Sequence, residues 1–358
     1  MPPPNSHKET PDQQWMHLAL DQAQLGVGLT SPNPSVGAII VAQEKVIGRG
    51  YHHKAGEPHA EVEAIRDAQK SHPKLLRGST IYVTLEPCCT QGRTPPCTEA
   101  IKAAGIKRVV FGAHDPNPAH RQQARSALML AGIEVTAAVL EAECQAIIRP
   151  FAKWITTGIP YVIAKAGQSL DGRITRPAGE SSLITNDAAR AHGRRLRMRV
   201  DAILVGAETI RKDNPKLTLR DGSAGSGKLQ PWRVVLTRSG DLPPHSEIFT
   251  DSFKDRTIIM HGKDLPEALA ILGKHDVVSV LIEGGGIVLG QAFREHLVDE
   301  VYWYIAPRFC GGGRPSIAGP ALPASIELRD ITVRPMGDNV CFHGFPVWPE
   351  EDASLAHL

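Results

Sequence analysis

The residues best suited to chemistry lie in one stretch, from position 56 to position 97. The segment G-E-P-H-A-E places His59 two residues before Glu61, and L-E-P-C-C-T-Q-G-R-T-P-P-C supplies Cys88 and Cys97, each after a proline. Imidazole nitrogen and thiolate sulfur are preferred ligands of Zn²⁺, and three protein ligands leave a fourth position for water. A His-x-Glu with a later Pro-Cys and a second cysteine is typical of zinc nucleobase deaminases. The pattern predicts one zinc ion per chain, held by His59, Cys88 and Cys97, with Glu61 as the catalytic residue.

An alternative interpretation is a closed structural zinc site, with Cys89 or another group as the fourth ligand. Structural sites usually show C-x2-C knuckles, whereas Cys88 and Cys97 are nine residues apart and Glu61 stands where a base is needed. The spacing therefore favours catalysis, in which zinc-bound hydroxide attacks an amino-bearing ring carbon. Glu61 would take the water proton and deliver it to ring nitrogen and departing ammonia. Cys89 is then a neighbour of the site and not a ligand.

The local sequence places both halves of this site at helix starts. Pro58 precedes a run of strong helix formers from Ala60, so His59 and Glu61 fall in the first turn of a predicted helix. An apolar run over 81–85 predicts a buried strand that leads into the cysteine loop, and a second helix begins near Cys97. The positive end of that helix dipole favours a thiolate at Cys97.

Composition and charge exclude several classes of protein. Lys+Arg 40 against Asp+Glu 38 gives a net charge of +2, so no overall basic footprint for nucleic acid is present. The sequence holds no apolar run of about 18 residues and no apolar core of a secretory signal at its start, so we expect no membrane partner. Three of the six cysteines fall within ten residues, which is not a disulfide framework and favours a reducing cytoplasm.

Strand and helix patterns alternate through both halves of the 358 residues, which predicts an α/β fold in two domains. The pattern restarts at T-T-G-I-P, near position 157, after which 161–166 reads as a strand. We therefore expect domains at 13–156 and 157–348, with disordered extensions at both termini. Ligands in such sheets bind at the carboxyl ends of strands and the N-termini of helices, where the zinc residues are expected.

Two sets of motifs resemble, in order, the bifunctional riboflavin-biosynthesis deaminase–reductase family. The first half carries T-S-P-N-P-S-V-G, G-E-P-H-A-E, V-T-L-E-P-C, G-R-T-P-P-C and D-P-N-P. The second carries K-A-G-Q-S-L-D-G-R, D-A-I-L-V-G-A-E-T-I-R-K-D-N-P-K-L-T-L-R, I-E-G-G-G and Y-I-A-P. The resemblance covers roughly residues 13 to 345. It implies a cytidine-deaminase-like three-layer α/β/α domain followed by a dihydrofolate-reductase-like α/β domain.

The resemblance also implies two reactions on one small phosphorylated pyrimidine. The first domain would deaminate 2,5-diamino-6-ribosylamino-4(3H)-pyrimidinone 5′-phosphate, and the second would reduce its ribosyl chain to ribityl with NADPH. Residue by residue, it implies substrate contacts at Asn33, Ser181, Arg197, Leu217, Arg220 and Glu283. It implies cofactor contacts at Gly167, Leu183, Thr209, Asp213, Gly285 and Gly286. The two arginines suit a substrate phosphate by bidentate hydrogen bonding.

The chain departs from the family pattern at two places. After D-P-N-P the family usually continues with a Gly-Lys-Gly-type turn, where this chain reads A-H-R-Q-Q-A-R. Leu183 stands where many members carry a tryptophan, so a stacking surface for the cofactor is missing. One alternative is accordingly an active deaminase whose reductase-like domain has weak or no reductase activity. An alternative of another class is a zinc-stabilised nucleic-acid-binding or RNA-modifying protein, against which the near-zero net charge and the lack of an aromatic and basic stripe argue.

The resemblance further implies a homo-oligomer, a dimer or a tetramer. The apolar run over 298–305 is a candidate buried edge for such contacts.

Overall fold

The structure, a computed structural model, describes residues 9–90, 95–118, 120, 123–219 and 227–348. The two terminal extensions expected from the sequence lie mostly outside these residues. The chain divides into two compact units between Thr157 and Gly158. Each unit has its own sheet and its own hydrophobic core, and each is described by itself below.

The first unit alternates helices and strands, as the sequence pattern predicts. Its elements are α1 (Pro11–Gly26), β1 (Gly37–Ala42), β2 (Lys45–Tyr51), α2 (Ala60–Ser71), α3 (Pro73–Leu76), β3 (Thr80–Leu85), α4 (Cys97–Ala104), β4 (Arg108–Ala113), α5 (Gln123–Leu130), β5 (Glu134–Thr136) and α6 (Glu141–Thr157).

The described strands of this unit form a mixed sheet in the order β2-β1-β3-β4-β5. β1 is antiparallel to β2 and β3, whereas β3, β4 and β5 are parallel. The central strands are buried on both sides because α1 and α6 pack together and α2 packs beside α4. The N-terminal end of β1 and the carboxyl ends of β3 and β4 therefore meet at one edge of the sheet.

Glycines in β2 set how closely α2 approaches the sheet. A Cβ added at Gly48 or Gly50 would lie 2.4 Å from the backbone of Ala64 in α2. Any side chain there would push the helix outward, since heavy atoms do not approach this closely. These two glycines therefore fix the position of the helix whose first turn carries His59 and Glu61.

The second unit is also α/β. Its elements are β6 (Tyr161–Ser169), α7 (Asp187–Arg195) with a 3₁₀ turn over Leu196–Arg199, β7 (Ala202–Gly206), α8 (Ala207–Asp213), β8 (Trp232–Thr237), α9 (Glu247–Thr250), a 3₁₀ turn over Lys254–Arg256, β9 (Thr257–His261), α10 (Leu265–Lys274), β10 (Ser279–Ile282), α11 (Gly286–Arg294), β11 (Glu300–Ala306), β12 (Glu327–Met336) and β13 (Asn339–Val347).

The described strands of this unit form one sheet in the order β12-β13-β11-β6-β10-β7-β8-β9. The six strands from β11 to β9 are parallel, and β12 and β13 add an antiparallel edge. The expectation that 298–305 forms an edge is wrong, because β11 pairs with β6 on one side and β13 on the other. Among the described strands the two outer ones are β9 and β12, and the period-2 apolar pattern of β12 is too weak to have been recognised in the sequence.

None of the helices in the described part of the chain has the length and apolarity needed to cross a bilayer.

Candidate functional site

The three predicted metal ligands converge at the edge of the first sheet. His59 caps the start of α2, Cys97 is the first residue of α4, and Cys88 follows the carboxyl end of β3. The His59 Nδ1 atom lies 3.6 Å from the Cys88 sulfur and 3.3 Å from the Cys97 sulfur. All three ligand atoms lie within 4.8 Å of one another.

These distances fit a tetrahedral zinc ion. Bonds of about 2.3 Å to sulfur and about 2.0 Å to nitrogen at tetrahedral angles separate the two ligand atoms by about 3.5 Å. The two sulfur–nitrogen distances bracket that separation. His59, Cys88 and Cys97 therefore have both the donor types and the spacing that zinc requires.

The two thiols differ in how readily they ionise. Contact with Cys97, together with its backbone N–H at 3.3 Å from the Cys88 sulfur, lowers the pKa of Cys88 to about 4. Contact with Cys88 raises the pKa of Cys97 well above its usual value. The N–H at the start of α4 thus stabilises a thiolate at Cys88, and a thiolate at Cys97 in the metal-bound site stays a prediction. A divalent cation between the sulfurs would remove the repulsion that keeps Cys97 protonated.

Glu61 lies in the first turn of α2, beside the ligand set. Its side chain is buried, lines the same cavity as His59 and Cys88, and contacts the Cys97 sulfur. Burial raises the pKa of Glu61. A carboxyl group whose pKa moves toward neutrality can both accept and donate a proton, as a general acid and base must.

Asn33 is held in one orientation by a histidine that the sequence did not single out. The Pro58 carbonyl can only accept, so His52 donates to it from Nδ1 across 3.0 Å. Burial lowers the pKa of His52, which keeps the ring neutral, and its Nε2 then accepts from the Asn33 amide nitrogen at 3.0 Å. The Asn33 side-chain oxygen takes no part in this hydrogen bond and can accept one from a ligand.

The cavity at this site has a volume of about 310 Å³. Its lining residues come from the loop before β1, the start of α2, the loops after β3 and β4, and one face of α6. They are Pro32, Asn33, Pro34, Val36, His52, His59, Glu61, Leu85, Glu86, Cys88, Asp115, Asn117, His120, Phe151, Trp154 and Ile155. The sequence missed the wall from α6: Phe151, Trp154 and Ile155 share one helix face, a pattern no different from that of core residues.

In the second unit the predicted substrate residues Arg197 and Glu283 form a buried ion pair. The Arg197 Nε and Nη2 groups donate to the two Glu283 carboxylate oxygens at 2.5 and 2.8 Å, and Nη1 donates to the Thr218 carbonyl at 2.8 Å. The bidentate face of Arg197 is therefore already occupied. This corrects the expectation that Arg197 clamps a phosphate bidentately, while Arg220 lies outside the described residues.

The remaining predicted residues of the second unit lie near the carboxyl ends of parallel strands. Thr209 and Asp213 share a face of α8, which follows β7, and burial raises the pKa of Asp213. Gly285 caps the start of α11 with φ +80°, and a Cβ on it would lie 3.7 Å from the Thr209 hydroxyl. A glycine turn at a helix start is suited to phosphate groups such as those of a dinucleotide.

The other predicted positions lie at a buried turn, in a strand or on an exposed loop. Leu217 is buried and has φ +50°, next to the carbonyl that Arg197 holds. Gly167 lies near the end of β6, where a Cβ would meet Thr185 at 3.1 Å. Ser181 and Leu183 are exposed, and Leu183 is 51% exposed. The structure thus groups Arg197 with Glu283 and Thr209 with Gly285, begins α11 at Gly286, and places Ser181 and Leu183 on the surface.

The ion pair gives a prediction for stability. Glu283→Gln leaves the Arg197 guanidinium buried without its counter-charge, and we expect the second unit to lose about 3–5 kcal/mol of unfolding free energy. Burial opposes ionisation of Glu283, but Arg197 outweighs it and lowers the pKa below 4.5. The difference from wild type should therefore hold above pH 4.5 and shrink as the pH falls through the lowered pKa. Urea unfolding over a pH series measures it.

The matched control is Glu267→Gln, which removes a carboxylate from the exposed pair with Lys263. We expect it to change the unfolding free energy by less than about 1 kcal/mol. Equal effects of the two substitutions would contradict a buried, mutually dependent pair.

Comparisons with known proteins cover both units. The cytidine and deoxycytidylate deaminase zinc-binding region matches residues 9–113, and the RibD C-terminal domain matches residues 160–342. The riboflavin biosynthesis protein RibD of Bacillus amyloliquefaciens is 37% identical over 84% of this chain and 86% of its own length. That of Escherichia coli is 35% identical over 93% of this chain and 98% of its own length.

Solved structures agree with these matches. RibD of Acinetobacter baumannii superimposes with a TM-score of 0.84 at 34% identity, covering 94% of this chain and 99% of the other. A diaminohydroxyphosphoribosylaminopyrimidine deaminase/5-amino-6-(5-phosphoribosylamino)uracil reductase of Thermotoga maritima superimposes with a TM-score of 0.85 at 32% identity, with the same coverage.

Proposed function

The chain belongs to the family of bifunctional deaminase–reductases of riboflavin biosynthesis, and we propose that its two units act consecutively on one phosphorylated pyrimidine. Its first unit is a zinc-binding, cytidine-deaminase-like domain, and its second is a reductase domain of the NADPH-using type. The first reaction would convert 2,5-diamino-6-ribosylamino-4(3H)-pyrimidinone 5′-phosphate and water into 5-amino-6-(5-phosphoribosylamino)uracil and ammonia. The second would reduce the ribosyl chain to ribityl.

One observation supports the deaminase assignment most: three zinc-type ligand atoms within 4.8 Å of one another, next to a buried carboxyl group in a cavity. We assign His59, Cys88 and Cys97 as the ligands. Bound zinc supplies Lewis-acid activation of water. Glu61 would accept one proton of the attacking water and pass it to the ring nitrogen, and would then carry the second proton to the amino group, which departs as ammonia. The Asn33 side-chain oxygen, oriented by His52, accepts a hydrogen bond from the pyrimidine.

In the reductase unit, we assign the residues that the resemblance implies to a cofactor side and a substrate side of the site. The glycine turn of Gly285 and Gly286 with Thr209 binds the cofactor, and Gly167, Leu183 and Asp213 complete that side of the site. Glu283 and Arg197, with Leu217, Ser181 and Arg220, form the substrate side. NADPH supplies the hydride, and the chain's residues hold the nicotinamide ring against the sugar carbon.

We further propose residues 13–156 and 157–348 as the limits of the two catalytic domains. The division of the chain into compact units between Thr157 and Gly158 supports this. We also propose a cytoplasmic location, supported by six free cysteines. Assembly into a dimer or tetramer stays a proposal, and the exposed Ile331 and Val333 of the outer strand β12 offer a surface for it.

The function is tested with the purified chain and the diamino pyrimidine phosphate, with and without NADPH. We expect ammonia release without NADPH, and, with NADPH present, oxidation of one NADPH for each ammonia released. Oxidation that does not require prior ammonia release would contradict the proposed order. Ammonia release without any oxidation would support the alternative of a reductase-like domain with weak or no activity, which the match over 160–342 does not favour.

A further inference from the structure

One side of the deaminase cavity is polar and is built from two neighbouring loops. The loop after β3 carries Thr90, and the loop after β4 carries Asp115, Asn117 and His120. Because β3 and β4 are parallel neighbours, these loops meet at the same edge of the sheet. The Thr90 hydroxyl lies 3.0 Å from His120 Nδ1 and links them. The side chains here offer polar groups and not apolar surface, which suits a sugar phosphate rather than the faces of a pyrimidine.

The ionisable residues that line the cavity are mostly acidic or already engaged. The carboxyl groups are Glu61, Glu86 and Asp115, and the imidazoles are His52, His59 and His120. The ring nitrogens of His52 are both hydrogen-bonded, to Asn33 and to the Pro58 carbonyl. His59 is directed at the two thiols. Among the described lining residues, His120 is therefore the imidazole that is neither assigned to the metal nor hydrogen-bonded through both ring nitrogens, so one of its nitrogens can meet a ligand.

The contact with Thr90 determines which nitrogen that is. When the Thr90 hydroxyl donates to Nδ1, the proton of a neutral imidazole resides on Nε2. Nε2 then donates a hydrogen bond whether the ring is neutral or charged. Hydrogen bonds from such groups to an anionic oxygen are stronger than those between neutral groups.

We propose that His120 is a substrate-binding residue that donates from Nε2 to the 5′-phosphate of the aminopyrimidine substrate. The inference rests on the proposed function of the first unit and extends it to the part of the substrate far from the reacting carbon. His120 lies in the segment that departs from the family's Gly-Lys-Gly-type turn, so the contact belongs to this chain's own sequence. Thr90 acts as a positioning residue, because its hydroxyl lies 3.0 Å from His120 Nδ1 and holds the ring in place.

The test compares two substrates: the diamino pyrimidine ribosyl 5′-phosphate and the same compound without its phosphate. For His120→Ala we expect kcat/KM with the phosphorylated substrate to fall about ten- to a hundredfold, mainly through KM. With the dephosphorylated substrate, the wild type and the variant should have equal kcat/KM values. Zinc content and NADPH oxidation on 5-amino-6-(5-phosphoribosylamino)uracil confirm that the chain is folded. His53→Ala, which removes an exposed imidazole outside the cavity lining, is the matched control. It should leave kcat/KM unchanged with both substrates.

Two results would overturn the inference while leaving the deaminase assignment intact: an equal loss with both substrates, which would mean that His120 only supports the loop, or no loss with either. A wild-type chain that releases no ammonia from the phosphorylated substrate would instead overturn the proposed function, and the inference with it.

Discussion

Glu61→Gln should abolish ammonia release while zinc stays bound. The amide keeps the shape of the buried side chain but can neither accept the water proton nor return it to the leaving group. Loss of a positioned general acid and base typically costs about 10²- to 10⁴-fold in rate, and here the same group serves two proton transfers. We therefore expect kcat to fall by at least the upper end of that range. Ammonia release and the zinc content of the same sample measure the two halves of this prediction.

Glu63→Gln is the matched control, since it makes the same chemical change two residues later on α2. Glu63 pairs with Arg66 and does not line the cavity, so its substitution should leave ammonia release near the wild-type rate. Loss of zinc from the Glu61→Gln variant would show that Glu61 is a ligand, and the assigned proton-transfer role would then be wrong.

Cys97→Ser should remove zinc and deamination together. A serine hydroxyl is a much poorer ligand than a thiolate, and with Cys97 lost only His59 and Cys88 remain of the three converging groups. NADPH oxidation on supplied 5-amino-6-(5-phosphoribosylamino)uracil should persist, because the proposed reductase residues belong to the other compact unit. Metal analysis of the dialysed variant, followed by the two activity assays, tests this.

Cys89→Ser provides the control for that result. Cys89 adjoins Cys88 in sequence, but its sulfur lies 3.6 Å from the Gln123 side-chain oxygen and is not part of the converging ligand set. Zinc content and ammonia release should therefore match the wild type. Zinc loss on replacement of Cys89 would support the closed structural site instead.

The metal ligands could be predicted from the sequence because their chemistry is local. Pro58 and Pro96 mark helix starts, and His59 and Cys97 take their positions from those starts. Cys88 follows a strand whose apolar run is unambiguous. Each half of the site thus depends on short-range rules, and the packing of α2 beside α4 then brings the halves to one sheet edge.

The rest of the cavity depends on contacts between distant segments. His52 lies nineteen residues from Asn33 and orients it through a hydrogen bond that no spacing rule indicates. Phe151 and Trp154 line the cavity from α6, yet in the sequence they resemble any apolar helix face. Such residues acquire a function only through the packing of the whole unit.

The reductase unit shows the same division between local and distant information. The turn before α11 was evident from E-G-G-G, whereas the pairing of Arg197 with Glu283 joins residues 86 positions apart. The apolar run over 298–305 was expected to form an edge. Such a run indicates that a strand is buried but does not reveal how many strands pair with it. In the fold, β13 returns antiparallel beside β11 and makes that strand internal.

X-ray absorption at the zinc edge, on the wild type and on Glu61→Gln, measures the ligand set of the metal itself. We expect two sulfur ligands at about 2.3 Å and two lighter atoms at about 2.0 Å, with the same spectrum in both proteins. Three sulfur ligands, or a lighter-atom shell that changes when Glu61 is replaced, would contradict a His59–Cys88–Cys97 centre with a free carboxyl group beside it.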